Sequence, residues 1–149
     1  MPDYARAIIH FSKSDMAVAI SNASTKKEKD YRYAVVGVMT LPALFREDPK
    51  HYYGIDNTLT PRISHANPDI FDEQEFFIHL DGITIGKSRD PLTALTLMYS
   101  CYYVFNLVYP KELQSSLEFI QRFLVKIGDG SKPSGKLITA ITKIRKYAG

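Results

Sequence analysis

The sequence predicts an α+β fold: a small, mostly antiparallel sheet with a hairpin, packed against a buried central helix and C-terminal helices. Three observations carry that expectation. Asp81 and Gly82 sit between the apolar flanks FFIHL and ITIG, and this pair is favoured in a tight type I′ turn. Residues 91–110 contain no charge, and Asp90 and Lys111 bracket them. Beyond that run, apolar residues recur at helical spacing. With 149 residues, 45% hydrophobic and 23% charged, the chain is expected to form a single domain, 1–149. A core of that size needs neither disulfide nor metal.

The elements follow in chain order. RAIIHF (6–11) reads as a short strand. Ser12 or Ser14 then caps a helix carrying Met16, Val18, Ala19 and Ile20. After the polar loop STKKEKD, the stretch YRYAVVGVMT (31–40) is β-branched and aromatic and reads as a buried strand. The result is a β-α-β opening within residues 1–56. LPALF offers a helical turn with Pro42 at its first position. Residues 57–72 are rich in Pro, Asn, Asp and Ser and read as a long loop.

A two-residue turn in the hairpin (75–87) pairs Leu80 with Ile83 and Ile78 with Ile85. Phe76 shares that face, while Phe77, His79 and Thr84 take the other. Helices are expected from 91 to 147. Asp90 caps the first, with Pro91 at its first position. Leu95, Met98, Tyr102, Phe105 and Tyr109 form its apolar stripe, and Thr93, Thr96, Ser100 and Tyr103 a weakly polar one. Pro110 opens a second helix whose apolar stripe is Leu113, Leu117, Ile120, Leu124 and Ile127. Gln114, Glu118, Gln121 and Arg122 point outward, Glu118 pairs with Arg122, and Gly128 stops the helix. A third helix starts near Ser134, with Leu137, Ile138, Ile141 and Ile144 opposite Lys136, Lys143 and Lys146.

The uncharged run approaches the roughly 20 apolar residues of a membrane span. It also holds two threonines, a serine, an asparagine and four tyrosines, so it reads as a core helix and no membrane partner is expected. Tyr99, Tyr103 and Tyr109 are candidates for a partner-binding face, because tyrosine is enriched at interfaces. Cys101 is the single cysteine and lies among apolar residues, so it reads as an inert buried thiol. A lone cysteine and no signal-peptide pattern point to an intracellular setting, cytoplasm or nucleus.

Motifs for chemistry are sparse. His10, His51, His65 and His79 are scattered and match no metal-site spacing, so neither metal nor cofactor is expected. Asp69, Asp72, Glu73 and Glu75 form an acidic cluster that reads as a solvated loop. GDGSKPSGKL has the glycine and lysine spacing of a phosphate-binding loop. Leu137 stands where that loop needs Ser or Thr, and a helix rather than a strand precedes it, so the segment reads as a helix–helix linker. No acid–base pair emerges, and the chain is read as a non-enzyme.

The residues Phe105, Asn106, Tyr109 and Pro110, followed by Phe119, Ile120, Gln121, Arg122, Lys126 and Ile127, form a pattern F-N-x-x-Y-P … F-I-Q-R-x-x-x-K-I. This half of the chain resembles a C-terminal module of uncharacterised, multicopy, mobile-element-like animal proteins. The resemblance implies a strand, a hairpin and two helices, and it carries no activity. The leading expectation is a non-catalytic protein-interaction or assembly module whose partner is a protein, a second copy of the chain included. The alternative is nucleic-acid binding. Residues 111–149 carry eight basic and three acidic groups, net +5, against +3 for the whole chain. The residues that would carry it are Arg122, Lys126, Lys132, Lys136, Lys143, Arg145 and Lys146. A third reading is an enzyme built on the long loop and His79.

Overall fold

The structure, a computed structural model, describes residues 25–54, 59–72, 74–127 and 132–148. The strand expected at 6–11, the helix after it, and Gly128 lie outside these residues. Among these described residues, four helices and a three-stranded antiparallel sheet give a small α+β fold, in line with the expected class.

YRYAVVGVMT is not a strand. It lies inside helix α1 (Lys26–Leu44). Thr25 starts the helix, its hydroxyl accepting the Glu28 N–H at 3.1 Å. The valines cost helix stability only by tenths of a kcal/mol each, roughly. Burying Val35, Val36, Val38 and Leu41 outweighs that cost, so packing overrides local preference.

Pro42 sits in the last turn of α1 rather than opening a helix. Its missing N–H leaves the Val38 carbonyl, four residues earlier, without its helical donor. The buried Tyr52 hydroxyl donates to that carbonyl instead. The helix then ends in a Schellman turn. Glu47 N–H bonds Pro42 O at 2.8 Å, and Arg46 N–H bonds Ala43 O at 3.1 Å. Arg46 takes the left-handed position, with φ 59°.

The sheet has the order β1 (Arg62–His65), β2 (Phe76–Leu80), β3 (Ile83–Ser88). Strand β1 lies within the segment expected to be loop; four residues containing Arg and Ser leave no alternation to read. Arg62 anchors it. Its Nε bonds Gly54 O at 3.0 Å and Nη1 bonds His51 O at 3.3 Å. Nη2 reaches the Lys50 carbonyl as well. A parallel bridge between Tyr53 and Ile63 closes the outer edge of β1. The hairpin turn is type I′ in backbone terms, with φ 52° at Asp81 and 73° at Gly82. Leu80 faces Ile83 as expected, but Ile78 faces Gly86 and not Ile85. A bulge opposite the Ile78–His79 step makes Ile85 the extra residue, which shifts the register.

Helix α2 (Pro91–Val104) packs on all three strands. Asp90 caps it, Oδ2 accepting the Thr93 N–H at 3.0 Å and the Thr93 hydroxyl at 2.6 Å. Ala94, Leu95, Met98, Tyr99, Cys101 and Tyr102 form its buried face. The expected stripe stops there: the helix ends at Val104, leaving Phe105 exposed and Tyr109 beyond it.

Pro110 precedes a 3-10 turn (Lys111–Leu113) rather than starting a helix. Helix α3 (Gln114–Phe119) follows, and a π turn (Ile120–Leu124) extends it. Glu47 caps α3 from a distance in sequence. Its carboxylate accepts Ser115 N–H at 3.0 Å, Ser116 N–H at 2.8 Å and the Ser116 hydroxyl at 2.6 Å. The wider π turn rotates the following residues, so Gln121 turns into the core instead of outward. Helix α4 (Gly135–Ala148) buries Leu137, Ala140 and Ile144. Ile138, expected on that face, is exposed.

Candidate functional site

The C-terminal end of α2 presents a cluster of exposed apolar and aromatic side chains. The left-handed Asn106, φ 51°, ends the helix in a second Schellman turn. Leu107 N–H bonds Tyr102 O at 2.9 Å and Asn106 N–H bonds Tyr103 O at 3.3 Å. Asparagine tolerates that conformation better than most residues. The turn leaves Tyr103, Val104, Phe105 and Val108 pointing outward, 63%, 69%, 56% and 90% exposed.

The hairpin tip belongs to the same end of the molecule. Only Arg89 and Asp90 join β3 to α2, so the helix runs back along the sheet. At 1.5 Å per residue α2 is about 21 Å long. Six residues of β3 span about 20 Å. The Tyr102 phenol also feels the Arg62 guanidinium, and Arg62 lies opposite His79 beside the turn. Ile83 and Leu59 are exposed at that tip, where Asp81 N–H bonds Leu59 O at 3.3 Å.

Of the three tyrosines singled out by sequence, Tyr103 alone is surface-exposed. Tyr99 is 2% exposed. Its hydroxyl lies 2.7 Å from that of the half-buried Tyr109, which donates to Gln121 Oε1 at 2.7 Å. Gln121 Nε2 then donates to Ile127 O at 3.1 Å. Since Tyr109 donates onward, Tyr99 donates to Tyr109. This polar thread tacks the α2–α3 connection to the π turn. Val104 and Val108 escaped sequence reasoning because the helix was expected to run past them; Asn106 was the available stop signal.

His79 is held from both sides within the sheet. Ser64 Oγ lies 2.6 Å from Nε2 and Thr84 Oγ1 3.0 Å from Nδ1. Both ring nitrogens are thus occupied by hydroxyls. His65 Nδ1 meets the Tyr53 hydroxyl at 2.8 Å, and burial lowers its pKa. Burial raises that of the Cys101 thiol. Asp69 caps its own turn by accepting the Phe71 N–H at 3.0 Å, and Glu75 pairs with Lys87 at 3.4 Å. Among the described residues no group of three or more His, Cys, Asp or Glu converges as a metal site. No described helix is long and apolar enough to cross a membrane.

Six basic residues line two clefts flanking α4. Arg46, Lys136 and Lys143 line one, of about 440 Å³. Arg122, Lys126 and Arg145 line the other, of about 550 Å³. There Arg122 pairs with Glu118 at 3.3 Å, as the spacing suggested, and Arg145 lies 5.8 Å from the Phe123 ring centre. Lys132 and Lys146 are exposed and line neither.

Two known proteins are similar to part of this chain. Sterile alpha motif domain-containing protein 3 of Homo sapiens is 25% identical over 101 residues, 66% of this chain and 19% of that protein. The Mus musculus protein of the same name gives the same figures. The chain thus matches about a fifth of these relatives' length. No protein-family model matches the chain, and neither does any solved structure.

Proposed function

We propose that this protein is a non-catalytic assembly module, of the mobile-element type its sequence resembles, that works inside the cell by docking to a second copy of itself. The observation that carries the reading is the exposed apolar end made by Tyr103, Val104, Phe105 and Val108, extended by Leu59 and Ile83. Exposed apolar clusters of this kind mark interaction surfaces. A two-fold contact sets each residue near its own copy, so a charged patch would meet like charge. Residues 91–110 of this face carry no formal charge, so its centre can meet itself without like-charge repulsion, while Asp81 lies at its hairpin-tip edge. Tyr103 and Phe105 supply aromatic anchors of the kind that dominate interface energetics. A non-catalytic role accords with His79, whose ring nitrogens are both engaged by hydroxyls.

Sedimentation velocity on the wild type and on Val104→Asp/Val108→Asp tests this. Both side chains are exposed, so the fold should survive, as far-UV circular dichroism would check. The wild type is expected to sediment as a dimer and the variant as a monomer. Equal sedimentation of the two would remove this face from the assembly.

A further inference from the structure

We propose that the cleft between the end of α1 and the start of α4 binds the phosphate backbone of single-stranded nucleic acid. Arg46, Lys136 and Lys143 line it, and among the described residues no carboxylate does. None of the three is in an ion pair with a described residue. Three cations gathered with no counter-ion among the described residues repel one another and favour an incoming anion. Lys136 and Lys143 stand two turns apart on α4, about 10.5 Å along its axis. Their charges are therefore strung along the cleft and do not converge on a point, which suits a linear polyanion better than one small anion. Leu44, Phe45 and Ala140 give the cleft an apolar floor that sugars and bases can lie against.

Arg46 adds a separate argument. It fills the left-handed position of a Schellman turn, where glycine fits without steric penalty. An arginine there accepts strain and places a guanidinium fork on the cleft, a shape suited to paired phosphate oxygens. Lys126 does the same at the other cleft: φ is 62° at the end of the π turn, and its side chain lines the groove with Arg122 and Arg145.

Fluorescence anisotropy of a labelled oligothymidylate, titrated with the full chain from low to high salt, tests the proposal. Three phosphate contacts on a single strand give a log–log salt slope of about −2. Lys136→Gln/Lys143→Gln should weaken low-salt binding about tenfold or more and bring the slope to about −0.7. Arg46→Gly removes the third cation while keeping the turn, and should weaken binding without loss of fold. Lys87→Gln removes a positive charge on β3 and should leave binding unchanged. Absence of binding at low salt, or equal affinity in the wild type and the cleft variants, would overturn the proposal. So would polyglutamate of the same length competing as well as unlabelled oligonucleotide, since the cleft would then belong to acidic polypeptides.

Discussion

Tyr52→Phe removes a single hydroxyl and leaves the ring in its place. That hydroxyl is the donor to the Val38 carbonyl, which Pro42 has deprived of its helical partner. Tyr52 is fully buried, so water does not replace the lost bond. A buried acceptor left without a donor costs about 1–3 kcal/mol. The sharper test is the double-mutant cycle with Pro42→Ala. An alanine N–H at position 42 sits four residues after Val38 and can restore the helical bond. Pro42→Ala alone gains that donor but loosens the unfolded chain by about 0.4–1 kcal/mol, so it should be near neutral. In its background Tyr52→Phe should cost about 1 kcal/mol less than in the wild type. Urea unfolding of the four proteins reads this as shifts in midpoint at constant slope. Equal cost of Tyr52→Phe in both backgrounds would refute the link between the proline and the hydroxyl.

Glu47→Ala strands the Ser116 N–H and hydroxyl and the Ser115 N–H, and should destabilise by about 3 kcal/mol, whereas Glu47→Gln keeps an acceptor and should cost about 1 kcal/mol; the same urea series measures both, and equal losses would count against a capping role. Burial first, then the neighbouring Cys101, pushes the Tyr102 phenol up to about 12, with Arg62 pulling the other way. The unfolded chain then releases the proton near pH 10 while the fold retains it. That stability is intact below about pH 10 and is lost as pH rises towards 12, by up to about 1.4 kcal/mol per unit. Tyr102→Phe should flatten the alkaline fall measured by thermal unfolding, and an unchanged fall would remove Tyr102 from it.

Much of the C-terminal half was legible before the structure. Asp81-Gly82 specified its turn, Asp90 with Pro91 specified the start of α2, and Glu118 with Arg122 specified their pair, because each signal is local. The misses share a different physics. The valines of α1 have strand-like preference, yet tertiary burial decided for helix. Strand β1 is four residues long and is held by Arg62 reaching carbonyls about ten residues away in sequence. The bulge at Ile85 and the π turn at Ile120–Leu124 each shift a periodic pattern by part of a repeat, which exposes Ile85 and buries Gln121. The aromatic composition of the candidate face was visible. Its geometry was not, because the stop at Asn106 decides which tyrosines and valines face outward.

The measurement that bears most directly on the assembly reading is light-scattering mass across a dilution series, repeated at low and high salt. A contact held by apolar and aromatic side chains should keep a dimer equally well in both, since salt screens only charged contacts. A dimer that dissociates on dilution, at the same concentration in either salt, is the expected result. A monomer at every concentration, or a multimer that high salt dissolves, would contradict the claim that Tyr103, Val104, Phe105 and Val108 hold two copies together.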